Sequence, residues 1–373
     1  MQAVILAAGK GERLRPLTET VPKVMLPVAN RPILEHNIEK LRGLVDEVIL
    51  VVGYRKEIIR NHFGNEFLGM KISYAVQKEQ LGTGHALLQA KALIKDRFIF
   101  MMGDNLYERK DIERCIKHDY SILTRIVENP KIFGICEIEK GLLKDIDEKP
   151  AKPKSSLANA ALYVLDRKIF GMKMPKTRRG EYEITDAIVS LAKEDDIHAV
   201  EASVCEFITY PWDILRVNEY MIKKHGGRID PAAKIDRSAR IDKNVIIGKN
   251  AEIKNAVIRP YTVIGDNAVI GNFVEIKNSI IMEGTKIPHL SYVGDSVIGR
   301  NCNFGAGTKI ANLRFDDSAV KMEIKGKAVD TGRRKLGCIM GDNVRTGINS
   351  SIMPGAMIKP GSFLSAGKVH KQI

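Results

Sequence analysis

The feature that most constrains this fold is a six-residue period that begins at residue 235. Within each of its runs an apolar or branched residue recurs at every sixth position, and several of these residues are followed directly by glycine. A repeat this short cannot bury its apolar face alone, so successive repeats must stack. The period predicts a left-handed parallel β-helix, each repeat forming one flat side of a triangular prism. The residues in phase are Ile235, Ile241, Ile247, Ile253, Ile258, Ile264, Ile270, Ile276, Met340, Thr346, Ile352, Ile358 and Leu364.

The chain before residue 222 follows a different pattern. Apolar runs such as EVILVVGY (47–54) alternate with amphipathic stretches such as ILEHNIEKLRGL (33–44). This alternation is typical of βαβ units and predicts a mostly parallel α/β sheet covered by helices, with ligands at the carboxyl ends of its strands. The break KKHGGR (223–228) separates the two patterns, so we expect a domain at 1–224 and a second at 229–373.

Composition narrows the class of partner. Lys and Arg number 59 against 45 Asp and Glu, but aromatic residues make up only 6% and the basic residues are interspersed with acidic ones. This pattern disfavours a nucleic-acid partner and is compatible with phosphorylated small molecules. The five cysteines are widely spaced, which indicates neither a zinc site nor disulfides and fits a reducing cytoplasm. No run is long enough for a membrane span and no signal-peptide pattern opens the chain, so no membrane partner is expected.

The loop after the first predicted strand, AVILAAGKGERLRPLTETVPKVMLPV (3–28), has the composition of a phosphate site. Leu14 stands where a dinucleotide fingerprint needs glycine, and no Gly-Lys-Ser/Thr follows, so neither common phosphate motif is present. Gly9 and Gly11 allow backbone N–H groups to approach a phosphate, and Arg13 and Lys23 add cationic donors. We therefore predict a triphosphate site built from a loop and side chains.

This segment resembles the signature of the sugar-1-phosphate nucleotidylyltransferases. Further elements similar to that family follow in order: QKEQLGTGHA (77–86), MMGDN (101–105), DEKP (147–150), NAALYV (159–164) and EYEITD (181–186). The resemblance implies a Rossmann-like nucleotidyltransferase domain that uses Mg²⁺, bound by Asp104, with Arg13 and Lys23 as catalytic residues. It also implies a nucleotide site at Leu6, Ala8, Gly9, Gly11, Gln77 and Gly82, and a sugar-phosphate site at Gly134, Glu148, Lys149 and Asn159.

One position departs from that family. Its second metal ligand, an Asp or Asn, corresponds here to Phe207. Glu206 and Asp213 are the alternatives. Because Pro-Trp-Asp at 211–213 is typical of the first turn of a helix, where an acidic residue is favoured, we expect a structural role for Asp213.

The second half resembles the acetyltransferase part of the bifunctional N-acetylglucosamine-1-phosphate uridyltransferases, the GlmU family, over residues 258–308. The resemblance makes His289 the general base, which suits a reaction in which an amine loses a proton while it attacks acetyl-CoA. Residues 314–337 depart from that family, because they form a loop longer than that of bacterial members. This loop could cover the coenzyme, and its length suggests an archaeal-type member. The remaining residues that we assign to this site are Arg259, Lys277, Tyr292, Asn303, Asn312 and, from the loop, Lys335.

The leading hypothesis is thus a bifunctional, cytoplasmic homotrimer that makes UDP-N-acetylglucosamine from glucosamine-1-phosphate, acetyl-CoA and UTP. A first alternative is a nucleotidylyltransferase alone, with UTP, dTTP or GTP, in which the β-helix only assembles subunits. A second is a non-catalytic assembly subunit that resembles the exchange-factor subunits of translation initiation. The acetyl-site residues argue against the first alternative, and Arg13, Lys23 and Asp104 argue against the second.

Overall fold

The computed structural model describes residues 1–177 and 180–371. By their internal contacts these residues form two compact units that do not follow chain order. Unit 1 comprises Met1–Lys10, Pro22–Met25 and Ile33–Phe207, and unit 2 comprises Gly11–Val21, Leu26–Pro32 and Ile208–Ile373. The predicted domain limits, 1–224 and 229–373, remain a prediction. Within the described residues, no helix is both long and apolar enough to cross a membrane.

Up to residue 225, helices alternate with strands in the order that the apolar runs predict. The α-helices are α1 Ile33–Leu41, α2 Lys56–Phe63, α3 Thr83–Ala90, α4 Arg109–Cys115, α5 Ile184–Leu191 and α6 Asp213–His225. Short 3-10 helices cover Glu12–Leu14, Leu17–Glu19, Lys23–Met25, Pro130–Ile132 and Arg167–Gly171. The strands in this part are β1 Gln2–Ala7, β2 Pro27–Val28, β3 Arg31–Pro32, β4 Glu47–Val52, β5 Glu66–Phe67, β6 Met70–Val76, β7 Phe98–Met102, β8 Asn105–Tyr107, β9 Ser121–Ile126, β10 Gly134–Glu139, β11 Leu142–Glu148, β12 Leu157–Leu165, β13 His198–Glu201 and β14 Cys205–Phe207.

Unit 1 is built on a ten-stranded sheet in the order β10-β11-β13-β9-β12-β7-β1-β4-β6-β5. Strand β1 lies between β4 and β7 and is parallel to both. Alternate residues of β1 enter cores on opposite faces, Ile5 in a cluster with residues of α1 and α2, and Val4 in a cluster with residues of α3 and α5. Because β1 is buried on both faces, its sequence is a continuous apolar run. Strands β4 and β6 are also parallel, so the carboxyl ends of β1, β4, β6 and β7 meet at one edge of the sheet.

Unit 2 contains the β-helix, whose strands form three parallel seven-stranded sheets, which confirms the predicted fold class. Apart from Ile235, which is exposed in the first coil, the residues of the six-residue period are buried in the core of the β-helix or pack against it. Ile247, Ile264, Ile281 and Ile298 follow one another in register. The first face consists of Arg228–Ile229, Ile246–Ile247, Val263–Ile264, Ile280–Ile281, Val297–Ile298, Ile339–Met340 and Met357–Ile358. The second consists of Lys234–Ile235, Glu252–Ile253, Val269–Asn272, Lys286–His289, Asn303–Phe304, Arg345–Thr346 and Phe363–Leu364. The third consists of Arg240–Ile241, Ala256–Ile258, Val274–Lys277, Tyr292–Gly294, Lys309–Ile310, Ser351–Ile352 and Val369–His370.

The long loop of the β-helix is an excursion between two adjacent coils. Ile298 pairs with Met340, so the stack continues across the excursion without a gap. Within the excursion, Lys321–Ile324 and Lys327–Asp330 form an antiparallel hairpin. Val320 and Met322 are buried. A Cβ atom added at Gly355, where φ is +79°, would lie 2.7 Å from Val320 Cγ1, so the hairpin packs closely on the next coil.

Candidate active sites

The first candidate site begins where β1 ends. The backbone oxygen of Leu6 accepts a hydrogen bond from the Gly103 N–H at 2.9 Å, and that of Ala8 accepts one from the Tyr54 N–H at 3.1 Å. These bonds tie the end of β1 to the loops after β7 and β4. Apart from Gly9 and its two chain neighbours, no described residue has an atom within 4 Å of the place where a Cβ of Gly9 would be, so the backbone at Gly9 is open to an approaching ligand.

The next part of the predicted phosphate loop belongs to unit 2. Gly11 has φ of 63°, in the left-handed region, and caps the 3-10 helix Glu12–Leu14. Its oxygen accepts a hydrogen bond from Thr18 Oγ1 at 2.8 Å. Arg13 is exposed on that 3-10 helix. The guanidinium group is thus presented to solvent by a turn whose start requires a residue that tolerates positive φ.

Lys23 and Asp104, 81 residues apart in the chain, form an ion pair through Lys23 Nζ and Asp104 Oδ2. Asp104 follows β7 in the tight turn before β8, and Gly103 enters this turn so close to β1 that an added Cβ would lie 2.7 Å from the Leu6 oxygen. The side chains are 13% and 23% exposed, so ligands can still reach them. The structure thus brings together the predicted catalytic cation and the predicted metal ligand.

The predicted base contacts, Gln77 and Gly82, are also joined. Buried Gln77 donates from Nε2 to the Gly82 oxygen at 3.1 Å, and its Nε2 lies 3.1 Å from His85 Nδ1. Gly82 has φ of +101°, and a Cβ there would lie 2.4 Å from the Tyr182 oxygen. His85 was not singled out by sequence reasoning, although it stands inside the motif QKEQLGTGHA.

Of the predicted sugar-phosphate residues, Gly134 and Lys149 both lie next to Glu148, whereas Asn159 has other partners. Gly134 pairs with Glu148 across β10 and β11, and a Cβ at Gly134 would lie 2.7 Å from Glu148 Oε2. Lys149 Nζ lies 3.3 Å from Glu148 Oε1. Asn159 lies on β12, where its Oδ1 accepts from the Ala161 N–H at 2.8 Å and its Nδ2 donates to Tyr163 Oη at 2.6 Å.

The candidates for a second metal ligand have different surroundings. Glu206 is buried in β14, opposite Leu106, and adjacent Phe207 lies opposite Asn105. Phe207 contacts the Phe133 ring at 4.8 Å between centroids, and the Arg125 guanidinium lies over it at 5.3 Å. In unit 2, Asp213 Oδ2 accepts from the backbone N–H groups of Thr209 and Tyr210 at 2.7 and 2.8 Å, which secures the start of α6.

The donor set at Asp104 fits Mg²⁺. No group of three or more His, Cys, Asp and Glu side chains that could hold a metal ion occurs among residues 1–177 and 180–371. Magnesium, however, keeps several waters and is usually bound by one or two carboxylates together with substrate phosphates, so a full protein cage is not required.

The second candidate site lies on the β-helix. Tyr292 stands beside Glu275 in the same column of the third face. Asn312 donates from Nδ2 to Asp295 Oδ2 at 2.5 Å, and its Nδ2 lies 3.4 Å from Tyr292 Oη. A Cβ at Gly294 would lie 2.6 Å from both Tyr292 Oη and Asn312 Nδ2, so these groups meet over a residue that has no side chain. Burial, and then the charges of Asp295 and Glu275, raise the pKa of Tyr292. Asp295 was missed by sequence reasoning because turn positions are often Asp.

The other residues predicted for acetyl transfer occupy neighbouring coils. Arg259 NH1 lies 3.0 Å from Glu275 Oε1, and the Arg259 N–H donates to the Ile276 oxygen, which places Arg259 and Lys277 at the same corner. His289 is exposed at the end of its second-face strand, in register with Asn272.

The long loop and the second face supply the last two predicted residues. Lys335 bridges to Leu313 and so lies next to Asn312 in the excursion. Asn303 is exposed on the second face, in register with Lys286 and Arg345. Thus Tyr292 and Asn312 make direct contact. Arg259, Lys277, His289 and Asn303 lie on successive coils of the β-helix.

A groove of about 530 Å³ runs along the corner between the second and third faces. Phe273, Leu290 and Ile348 line it and are 68%, 59% and 58% exposed. Phe273 and Leu290 have φ of 57° and 47°, a conformation that bulky side chains rarely adopt. At the corresponding coils of the other corners, residues such as Asn267 and Asn278 take this conformation.

Both halves of the chain are similar to known proteins. Residues 2–204 match the family described as Nucleotidyl transferase, and residues 252–334 match the GMPPB C-terminal domain. The bifunctional protein GlmU of Methanocaldococcus jannaschii is 44% identical over 387 residues, which covers 98% of this chain and 94% of that protein. The bifunctional sugar-1-phosphate nucleotidylyltransferase/acetyltransferase of Sulfurisphaera tokodaii is 40% identical and covers 96% of this chain and 94% of that one.

A solved structure resembles the first half. It is described as that of a glucose-1-phosphate thymidylyltransferase from Bacillus anthracis, has 28% identity and a TM-score of 0.55, and covers 59% of this chain and 95% of that one. The Methanocaldococcus jannaschii relative is named as bifunctional, the Sulfurisphaera tokodaii relative is named for both activities, and this chain spans nearly all of each. The chain therefore belongs to the GlmU family of bifunctional sugar-1-phosphate nucleotidylyltransferase/acetyltransferases.

Proposed function

We propose that this enzyme transfers acetyl from acetyl-CoA to glucosamine-1-phosphate, and then uridylyl from UTP to N-acetylglucosamine-1-phosphate. The observation that carries the proposal is the Lys23–Asp104 pair at the carboxyl ends of the parallel strands, where ligands bind in open α/β sheets. The names of the full-length relatives favour two activities over a nucleotidylyltransferase alone or a silent assembly subunit.

In the nucleotidyl reaction, an oxygen of the sugar phosphate attacks the α-phosphorus of UTP and pyrophosphate leaves. Such a step needs alignment and charge neutralisation more than proton transfer. Lys23 and Arg13 neutralise triphosphate oxygens, and the backbone at Gly9 and Gly11 contacts the phosphates. Gln77 and Gly82 contact the base, as do backbone groups near Leu6 and Ala8. Gly134, Glu148, Lys149 and Asn159 hold the sugar phosphate.

Asp104 would hold Mg²⁺ at this site, with Glu206 as our candidate for a second carboxylate, since Asp213 already serves the start of α6. When bound, Mg²⁺ neutralises charge on the phosphates. Lys23 Nζ pairs with the Asp104 carboxylate, which keeps both groups in place for the incoming nucleotide.

In the acetyl reaction, the sugar amine attacks the thioester carbonyl of acetyl-CoA. His289 takes the proton that the amine loses, the carbon–sulfur bond breaks, and coenzyme A leaves as the thiol. Arg259 and Lys277 bind the phosphate of the sugar, Tyr292 and Asn303 contact the sugar, and Asn312 and Lys335 contact the coenzyme. A positioned base is worth about a hundred- to ten-thousandfold in rate.

We assign the chain to the cytoplasm and to a homotrimer. Exposed Phe273, Leu290 and Ile348 support the trimer, because contiguous exposed apolar side chains mark interaction surfaces. In the resembled family, neighbouring chains complete the acetyl site.

The test uses two variants and two readouts. Lys23→Ala should lower UTP-dependent pyrophosphate release from N-acetylglucosamine-1-phosphate by about a hundredfold or more and leave thiol release from acetyl-CoA unchanged. His289→Ala should do the opposite. The five cysteines are buried, with pKa values raised to about 12 by burial, so the thiols of the protein add little background.

The same assays separate the alternatives. If the wild-type enzyme releases pyrophosphate but releases no thiol with any amino-sugar phosphate, the proposed acetyltransferase activity is contradicted. If it releases neither pyrophosphate nor thiol, both proposed activities are contradicted. A matrix of sugar-1-phosphates against UTP, dTTP and GTP identifies the preferred nucleotide, and a preference for dTTP or GTP would contradict the assignment of UTP.

A further inference from the structure

Tyr107 occupies an unusual place in unit 1. Its ring is buried in the core behind the turn that carries Asp104, and its side chain is 2% exposed. It lies at the end of β8, three residues after Asp104, and pairs with Cys205 on β14. Burial raises the pKa of Tyr107 well above its ordinary value, so the phenol stays protonated and its hydroxyl can both donate and accept.

The hydroxyl of Tyr107 bonds to both sides of the Asp104 turn. Before the turn, the Met102 N–H at the end of β7 donates to it at 3.3 Å. After the turn, Asn105 Nδ2 donates to it at 3.2 Å. Met102 and Asn105 enclose Gly103 and Asp104, so one oxygen atom fixes the two ends of the turn. Asn37 secures the opposite side, where its Nδ2 donates to the Asn105 oxygen at 2.7 Å.

The same hydroxyl reaches a second predicted ligand group. Tyr107 Oη lies 3.0 Å from the Ala160 oxygen and 3.2 Å from the Ala161 oxygen, and it can donate to either. Ala161 has φ of 54° and lies in an irregular stretch of β12 between Asn159 and Tyr163. Asn159 Oδ1 accepts from the Ala161 N–H, so this irregular backbone also orients Asn159.

From these contacts we infer that Tyr107 is a positioning residue of the nucleotidyl reaction, which sets the distance between the Asp104 turn and Asn159. The inference rests on the proposed function, in which Asp104 holds the metal ion and Asn159 the sugar phosphate. An in-line displacement depends on the relative placement of these two groups, and an error of about 1 Å can cost about a hundredfold in rate. Tyr107 touches neither substrate and acts through Asp104 and Asn159.

The test removes one oxygen atom. Tyr107→Phe should lower kcat for pyrophosphate release by about ten- to a hundredfold and raise the Mg²⁺ concentration needed for half-maximal rate, because the metal turn loses its anchor. Thiol release from acetyl-CoA by the same protein should stay within about twofold of wild type, which shows that the β-helix keeps its fold, and the circular dichroism spectrum should match that of wild type. A residue that only stabilised the fold would leave the Mg²⁺ requirement unchanged.

Tyr120→Phe is the matched control. Its hydroxyl lies in unit 1 and donates to Asp166 Oδ2 at 2.8 Å. Because Asp166 is not a predicted site residue, this variant should keep its kcat and Mg²⁺ requirement. If Tyr107→Phe does not fold, Asn105→Ala removes the amide that bonds to Tyr107 Oη and should produce the same change in Mg²⁺ requirement.

The outcomes distinguish this inference from the proposed function. If the wild type is active and Tyr107→Phe has the same kcat and Mg²⁺ requirement as wild type, this inference is overturned and the proposed function still stands. A Tyr107→Phe variant that only melts earlier, as a structural residue would, also overturns it. A wild type that releases no pyrophosphate would overturn the proposed function and this inference together.

Discussion

At the scale of single residues, Gly82 shows how closely the nucleotide site is packed. Two requirements coincide at this residue, a φ of +101° and the approach of the Tyr182 backbone. Its oxygen accepts from Gln77, so a shift of this backbone would move the predicted base contact. A side chain at residue 82 should therefore disturb nucleotide binding as well as stability.

We expect Gly82→Ala to raise KM for the nucleotide by about tenfold or more, since strain and the clash displace the loop by several tenths of an ångström. Steady-state pyrophosphate release measures the change. Gly43→Ala is the control: Gly43 also has positive φ, of +76°, but no described atom lies within 4 Å of its Cβ direction. An unchanged nucleotide KM in Gly82→Ala would contradict the assignment of Gly82 to the nucleotide site.

Sequence reasoning found residues that stand in recognisable motifs and missed those that do not. Lys23 and Asp104 stand in separate motifs, and the fold joins them because the parallel strands β1 and β7 end side by side. Tyr107 looks like one more core aromatic, since its spacing does not reveal that its hydroxyl meets two loops. Likewise Asp295 resembles an ordinary turn residue.

At the scale of elements, the alternation and the six-residue period predicted the helices and strands of the sheet and the β-helix, because both patterns reflect which residues are buried. The expectation of a mostly parallel sheet was wrong: among neighbouring strands of this sheet only β7–β1, β1–β4, β4–β6 and β9–β13 are parallel, and the other pairs are antiparallel. The order of strands was less accessible. Strand β12 runs antiparallel between β9 and β7, and its apolar run has no feature that distinguishes it from a parallel strand. The pairing of Ile298 with Met340 across the excursion was also hidden, because the period resumes at Met340 without showing which earlier residue Met340 stacks on.

The hairpin of the excursion gives a prediction at this scale. The Thr331 N–H already donates to the Val320 oxygen, so residues 321–330 can be replaced by an Asn-Gly turn. The variant should melt a few degrees earlier, because Met322 and Ile324 no longer cover the coil, and KM for acetyl-CoA should rise if the hairpin covers the coenzyme. An unchanged KM for acetyl-CoA would mean that the hairpin only stabilises the coil.

Pyrophosphate release provides the control for this variant. Lys325, at the hairpin turn, forms an ion pair with Glu12 in unit 2, but the side chains are 57% and 43% exposed. Exposed pairs contribute about 0–1 kcal/mol, so nucleotidyl transfer should stay within about twofold. Lys325→Ala alone should behave like wild type in both assays.

At the scale of the whole molecule, the groove corner gives the prediction for assembly. Asparagine tolerates positive φ, so Phe273→Asn with Leu290→Asn should keep the backbone of the β-helix while it removes the apolar surface. We expect the double variant to be monomeric by light scattering at micromolar concentration, to lose acetyl transfer and to retain pyrophosphate release.

Ile126→Asn removes an apolar side chain that is 61% exposed in unit 1 and should not change the assembly. A double variant that remains trimeric and active in acetyl transfer would place the subunit contact elsewhere. A wild-type protein that is itself monomeric would contradict the proposed trimer.

The excursion between the coils also affects the order in which the β-helix can fold. Ile264 pairs with Ile281 and Ile281 with Ile298, so these coils can form one after another from contacts between nearby segments. The next pairing, Ile298 with Met340, must close a longer loop, and each doubling of loop length adds about 0.6 kcal/mol of entropic cost. We therefore expect the β-helix to extend more slowly across the excursion than between the coils that precede it.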